Sequence, residues 1–297
     1  MKILITGSNG LLGQKLIALL NQDESFRVIA TSHRPLVVPI KNGEHRVMDI
    51  TDREQVLEVI NQTKPDVVIH TAAMTNVDQC ELEQEACLLT NVTAVKYIIE
   101  ACAKNNVHLI QLSTDFIFDG SFGPLDETDI PDPVNFYGKS KLEAEYLIQQ
   151  ANISWCILRT VLVYGITADM SRSNIVLWVK KSLEERKTIN VVNDQWRTPT
   201  LAEDLAMGCF LAAQKKVSGI FNISGKDFLS PYDMAMQTAD FFHLDQSLIK
   251  ATDSVKFKQP AARPLTTGFI IDKAKKILGY QPHSFQEGLA LIKSQLK

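Results

Sequence analysis

Apolar residues in this chain of 297 fall in short continuous runs that alternate with stretches of helical spacing. The first run, Ile3, Leu4 and Ile5, leads into Gly7, Gly10 and Gly13. Behind the glycines, Leu11, Leu12, Leu16, Ile17 and Leu20 recur at intervals of three to five residues, the spacing of one helix face. A buried strand, a glycine turn and an amphipathic helix follow from that order. The same alternation predicts strands over 27–31, 46–50, 65–73, 107–120 and 155–160. Between them lie a long helical region reaching about Lys104 and a helix over 135–148 with apolar positions Leu142, Tyr146 and Leu147. Continuously apolar strands separated by helices specify an α/β protein with a doubly wound parallel sheet, because a parallel strand is covered on both faces.

Past residue 165 the rhythm loosens. A helix near 174–187, strands over 189–192 and 219–224 and a last helix from Ser284 are expected there. Helix openings are read at the boxes Thr51–Glu54, Thr200–Glu203 and Ser284–Glu287, and at Ser230, which precedes a proline suited to the first helical position. The chain therefore divides into a Rossmann-type domain over 1–165 and a smaller substrate-binding lobe over 166–297, interleaved with the last strands of the sheet.

The glycine turn is the first candidate chemistry. Gly7 permits the tight turn, Gly10 lets the backbone approach a pyrophosphate, and Gly13 lets the helix pack closely, with the anion at the helix N-terminus. Three spaced glycines also occur by chance; their place between an apolar run and a helical pattern gives them weight. The second strand ends in Ser32, His33 and Arg34, without the acid that holds an NAD ribose, so Arg34 with Ser32 favours NADPH over NADH. A solvated arginine ahead of Pro35 is the other reading. Asp49 either touches adenine or begins a turn. Ala72 and Ala73 are small enough for a cofactor to lie against the backbone, whereas His70, inside its apolar run, reads as a core histidine. Asn91 either faces solvent or contacts the sheet end.

The fifth strand ends in Ser113, Thr114 and Asp115, and the next helix carries Tyr137 and Lys141, four apart and so on one face. A free phenol titrates near pH ~10. An ammonium beside it stabilises the phenolate and fits the tyrosine for proton transfer. Arg263 and Arg197, in proline-bearing loops, are either diphosphate clamps or surface arginines. Trp196 either stacks a base or packs on the lobe.

Composition narrows the field. A net charge of −3 with 22% charged and 45% hydrophobic residues gives no basic field for nucleic acid. Cys80, Cys87, Cys102, Cys156 and Cys209 are odd in number and contain no CxxC pair, which points to reduced thiols, with no disulfide and no metal. The apolar start, cut short by Gly7 before it reaches the length of a signal h-region, and the lack of a long apolar run lead to the expectation of a cytoplasmic protein without a membrane segment.

An N-terminal Gly-x-x-Gly-x-x-Gly, a Ser/Thr at the end of strand five and Tyr-x-x-x-Lys on the next helix resemble the extended short-chain dehydrogenase/reductases. Residues 75–81, 113–120, 135–145, 159–165, 193–200 and 260–264 resemble, within these, the dTDP-4-dehydrorhamnose reductase family over most of the chain. The resemblance implies catalytic roles for Thr114, Tyr137 and Lys141. It implies cofactor contacts at Gly10, Leu11 and Leu12 (pyrophosphate), Asp49 and Ile50 (adenine) and Ala73, Met74 and Thr75 (nicotinamide side), a set completed by Gly7, Asn9, Gly13, Ser32, Arg34, Ala72, Asn91, Ser113, Tyr137 and Lys141. Substrate contacts are implied at Thr75, Val77, Thr114, Asp115, Phe116, Leu162 and Arg263. Leu162 and Phe116 stand where well-known members carry Trp and Tyr. The implied activity is reduction of the C4 keto group of a nucleotide-linked 6-deoxy sugar, with no nucleic-acid partner and room for a homodimer. Two alternatives share these motifs: another nucleotide-sugar reductase or epimerase, and a regulatory subunit similar to the methionine adenosyltransferase beta subunit.

Overall fold

The computed structural model describes residues 1–168, 174–256 and 259–296. Its first half runs β1 (Lys2–Thr6), α1 (Leu11–Leu20), β2 (Arg27–Ser32), β3 (Gly43–Val47), α2 (Arg53–Thr63), β4 (Val67–His70), α3 (Val77–Leu82), α4 (Gln84–Leu88), α5 (Ala94–Asn105), β5 (His108–Thr114), α6 (Phe136–Gln150) and β6 (Trp155–Thr160). The second half adds β7 (Val163–Tyr164), α7 (Ile175–Glu184), β8 (Ile189–Val192), β9 (Thr200–Leu201), α8 (Ala202–Lys215), β10 (Gly219–Asn222), α9 (Pro231–Phe241), β11 (Ile249–Thr252), α10 (Asp272–Leu278) and α11 (Phe285–Gln295).

Among the described residues the central sheet has seven parallel strands in the order β10-β6-β5-β4-β1-β2-β3. The order reverses between β1 and β4, and that switch point opens a crevice at the carboxyl ends of the strands. One face of the sheet is covered by a cluster that includes Ile3, Ile5, Leu16, Ile17, Leu205 and Cys209, the other by one that includes Leu4, Ile29, Ile60, Ile98 and Ile148. β10 and α8 come from the second half, so the later chain completes the sheet before α7, α9 and the short β8–β11 pair build a smaller layer.

Several local expectations shift. β3 covers Gly43–Val47 rather than 46–50, so Asp49 and Ile50 lie just past its end. α2 is capped by Asp52, whose carboxylate accepts from Glu54 N and Gln55 N; the Thr51 hydroxyl donates to Asp49 instead. The Thr200–Glu203 box does not form. Thr200 Oγ1 donates to the Val161 carbonyl at 2.7 Å, and Glu203 pairs with Lys15 at 2.8 Å. β5 stops at Thr114 and a 3₁₀ turn, Asp115–Ile117, follows. Tyr146 is half exposed rather than a core position. The box at Ser284 forms as read, closed by Glu287, and the helix start at Ser230 turns out to be a box as well, closed by Asp233.

The run Gln84–Asn105 is continuously helical, 22 residues containing an 18-residue window of mean hydropathy 1.3, so one stretch does reach spanning length against the expectation from sequence. It crosses α4, a π-helical turn over Leu89–Thr93, and α5, and it buries Ala94, Val95, Ile98, Ala101 and Cys102 against the sheet in the manner of a core helix.

His70 is buried and its Nδ1 meets Thr6 Oγ1 at 2.7 Å; burial holds the ring neutral by drawing its pKa down to about 3. The fully buried Arg159 and Glu145 pair through two bonds of 3.0 and 2.7 Å and join β6 to α6. Removing one partner leaves a buried charge uncompensated. Glu145→Ala is therefore expected to cost about 3–5 kcal/mol in urea unfolding; a loss near the scatter of a surface substitution would remove the pair from the account of α6 placement.

Candidate active site

β1 ends in a turn where Gly7 adopts a positive φ of 67°, and a Cβ there would stand 2.9 Å from the Ala72 backbone. Glycine is thus required for the turn and for the close approach of β1 to the segment after β4. α1 begins at Leu11 with no side-chain cap, which leaves its first amides directed at the crevice. Above them lies a cavity of ≈ 1070 Å³ at the carboxyl edge of the sheet.

Its wall gathers most of the sequence-derived candidates: Gly7, Asn9, Gly10, Leu11, Leu12, Ser32, Arg34, Asp49 and Ile50 at one end, then Ala72, Ala73, Thr75, Val77 and Ser113. Thr114, Asp115, Phe116, Tyr137, Lys141, Leu162 and Arg263 line the middle and far end. Gly13, Met74 and Asn91 lie off the wall. Gly13 packs under the loop against Ser8. Asn91, in the π-helical turn, accepts from Met74 N at 2.9 Å and donates to Met74 O at 3.0 Å, clamping the strand-end segment from behind. Asn9 likewise works on the loop, donating to Pro35 O and accepting from Val37 N, so it fixes the segment that carries Arg34.

A further set on the wall escaped the sequence reading: His33, Thr71, Thr90, Thr160, Gly165, Thr167, Asn174, Gln195 and Pro231. Gln195 and Pro231 had a signal, since they belong to segments already singled out; Thr167 and Asn174 had none. Among the described residues, Ser113 Oγ and Thr167 Oγ1 are buried and unpartnered on this wall, the condition of groups that await a ligand.

Tyr137 and Lys141 are nearly buried on α6, and the Phe116 ring meets Tyr137 edge-on at 6.0 Å. Gly138 lets the helix come this close, because a Cβ there would collide with the Phe116 carbonyl at 2.0 Å. The expectation that Lys141 lowers the phenol's pKa is not met in this state. Burial pushes Tyr137 well above its ordinary value; the Thr114 hydroxyl draws it back and Asp115 pushes it further up. Burial pulls Lys141 down to about 8, with Glu145 supporting its charge.

Asp115 is buried with a raised pKa, caused first by burial and opposed by Arg197. Its carboxylate accepts from Thr114 Oγ1 at 3.1 Å and Thr267 Oγ1 at 2.6 Å, and Arg197 Nε stands 3.4 Å away. Arg197 is neither a surface group nor a free clamp: it is 3% exposed and donates to the carbonyls of Trp196, Pro264 and Leu265. Arg263 forms a two-bond pair with Asp78, at 2.5 and 2.7 Å, and this pair holds the Asp78 carboxyl below its usual range. Trp196 stacks on Phe228 at 5.7 Å.

An adjoining cavity of ≈ 480 Å³ shares Asn174, Gln195, Pro231 and Arg263 with the first and adds Trp178, Asn190 and Val192. The two cavities make a continuous trough from the α1 terminus to α7.

The Lys141 ammonium is complete below about pH 8 and is lost as pH rises through that value. If its charge supports turnover, kcat/KM, which reports the free protein, falls on the alkaline side with a midpoint near 8; a flat profile to pH 10 would show that the charge is not used.

The comparisons with known proteins agree with this geometry. A family model described as RmlD substrate binding domain matches residues 1–297. A dTDP-4-dehydrorhamnose reductase of Aggregatibacter actinomycetemcomitans is 32% identical over 305 residues, covering 99% of this chain and 98% of the relative. Methionine adenosyltransferase 2 subunit beta of Rattus norvegicus is 31% identical over 259 residues, covering 85% of this chain and 76% of the relative. Among solved structures, a dTDP-4-dehydrorhamnose reductase of Bacillus anthracis str. Ames in complex with NADP superposes with a TM-score of 0.89 at 27% identity, covering 99% of each chain. From the sheet order, the crevice residues and the match along its whole length, the chain belongs to the RmlD substrate-binding-domain family.

Proposed function

We propose that this protein is an NADPH-dependent oxidoreductase that reduces the C4 keto group of a nucleotide-linked 6-deoxy sugar, dTDP-4-dehydrorhamnose being the substrate of choice. The observation that carries the reading is the placement of Tyr137 beside Thr114 on the cavity wall, with Lys141 one helical turn along. The reductases among its relatives and the NADP complex of a structural neighbour support it.

The residues fit the cofactor. The uncapped α1 terminus and the Gly7–Gly10 turn suit a diphosphate. Ser32 stands where an acid would repel a 2′-phosphate, and Arg34 is there to pair with one. NADPH, when bound, supplies the hydride. The protein's work is position and proton supply. The Thr114 hydroxyl donates a hydrogen bond to Asp115 Oδ1, so Tyr137 is the donor left for the sugar's C4 oxygen. As Tyr137 passes its proton to the developing alkoxide, Thr114 turns its own proton to the phenolate, and Lys141 keeps a positive charge nearby. In this reading residues 1–165 hold the cofactor and 166–297 hold the nucleotide sugar, whose base lies along the smaller cavity, where Trp178 rather than Trp196 offers a ring.

The test is NADPH oxidation by the purified protein with dTDP-, GDP- and UDP-linked 4-keto-6-deoxy sugars. Turnover of the dTDP sugar alone is expected. Tight NADPH binding with no turnover of any sugar would favour the alternative, a regulatory subunit similar to the methionine adenosyltransferase 2 subunit beta relatives. Tyr137→Phe is expected to abolish reduction and leave NADPH affinity nearly intact. Arg34→Ala should weaken NADPH far more than NADH; equal losses would show that Arg34 does not read the 2′-phosphate.

A further inference from the structure

Two thiols that this chemistry does not use lie against the groups that it does. Cys80 on α3 and Cys87 on α4 are fully buried and belong to one small packed group. They form one small cluster with Tyr137, onto which Met74 and Phe116 pack. Cys87 is wired into the frame of the site: its thiol donates to Ser140 Oγ at 3.4 Å, and Asn91 Nδ2 points to its sulfur at 3.5 Å. Ser140 lies between Tyr137 and Lys141 on α6 and donates to Tyr137 O at 2.7 Å, while Asn91 clamps Met74. Cys80 Sγ donates to the Met74 carbonyl at 3.5 Å.

The other three cysteines sit in the two sheet-face clusters, and burial pushes Cys102 and Cys156 up to about 12. Within this pair the Cys87 thiol is drawn down, by its Cys80 neighbour first and also by Ser140, Asn91 and Lys141, while Cys80 is pushed up by the same neighbour. Ala86, next to Cys87 in the chain, lines the cavity together with Tyr137 and Lys141.

We propose that Cys80 and Cys87 form a peroxide-sensitive disulfide that loosens the Asn91–Ser140 support beneath the active site and switches it off reversibly. The Cys87 thiolate attacks hydrogen peroxide, the O–O bond breaks, and the departing hydroxide takes a proton and leaves as water, giving a sulfenic acid. The Cys80 sulfur then attacks the Cys87 sulfur, the S–O bond breaks, and the second water carries away the Cys80 proton. Two thiols lose two electrons in all, and one peroxide gains them. An S–S bond of about 2.05 Å requires both sulfurs to leave their present hydrogen bonds, to the Met74 carbonyl and to Ser140. Cys87 then parts from Ser140 and Asn91, and the Ala73–Thr75 edge of the cavity loses its fixed position.

The experiment treats the full chain with hydrogen peroxide, denatures it and counts alkylatable thiols by intact mass. The count is expected to fall from five to three, peptide mapping to join Cys80 to Cys87, and dithiothreitol to restore all five. Turnover falls about tenfold or more with the disulfide, since displacements of this size at a site are costly, and returns on reduction. Cys80→Ser is expected to stop at a sulfenic acid on Cys87 that dimedone traps. Five free thiols after peroxide, oxidation at any other cysteine, or a disulfide that changes neither turnover nor NADPH affinity overturns the proposal. The thiol count is read without any sugar substrate, so it stands or falls apart from the proposed reaction.

Discussion

The ion pair between Asp115 and Arg197 is the contact on which the shape of the crevice depends. Burying either charge alone costs several kcal/mol, of the order of 3–5 when a partner is missing. Here each is surrounded by bonds. Asp115 accepts hydrogen bonds from Thr114 and Thr267, and Arg197 donates to three carbonyls of the 196 and 264–265 segments. One node thereby fastens the end of β5, where Thr114 sits, to two loops of the second half. Arg263 and Asp78 do the same at a more exposed position, tying the 260–264 loop to α3. Closing the cavity is thus an electrostatic arrangement laid over a hydrophobic fold.

The same burial decides what the tyrosine can do. In a wall this dry the phenol keeps its proton and the ammonium beneath it becomes easier to discharge, both for the reason that a charge loses solvation. A protonated phenol is what a reduction needs, because the product alkoxide must be given a proton. Arg159 and Glu145, deeper in α6 and β6, hold the frame that makes Lys141 tolerable there: Glu145 is four residues beyond Lys141 and is the main support of its charge.

Much of this was legible in the sequence, and the reason is locality. The apolar runs, the glycine turn, the Ser230 and Ser284 caps and the Tyr137–Lys141 spacing are each decided within a few residues. What was misread depends on distant partners. β3 is an edge strand whose Val47 is largely exposed, and its span is set by pairing of Gly43–Val47 with β2 rather than by its own apolar pattern. Thr200 forgoes the helix cap because the Val161 carbonyl, far back in the chain, needs its proton. Arg197 looked like a surface arginine because nothing nearby in sequence announces Asp115. The far wall of the crevice at Thr167 and Asn174 is assembled by loops whose residue types carry no pattern.

The most direct measurement follows a label. Protein, dTDP-4-dehydrorhamnose and NADPH carrying deuterium at C4 of its nicotinamide are incubated together, and the sugar is recovered and examined by NMR. Deuterium at C4 of the sugar, absent when Tyr137→Phe replaces the native chain, is the predicted result. A protein that binds the labelled cofactor tightly and leaves the sugar's keto group unlabelled and unreduced would contradict the account at its centre.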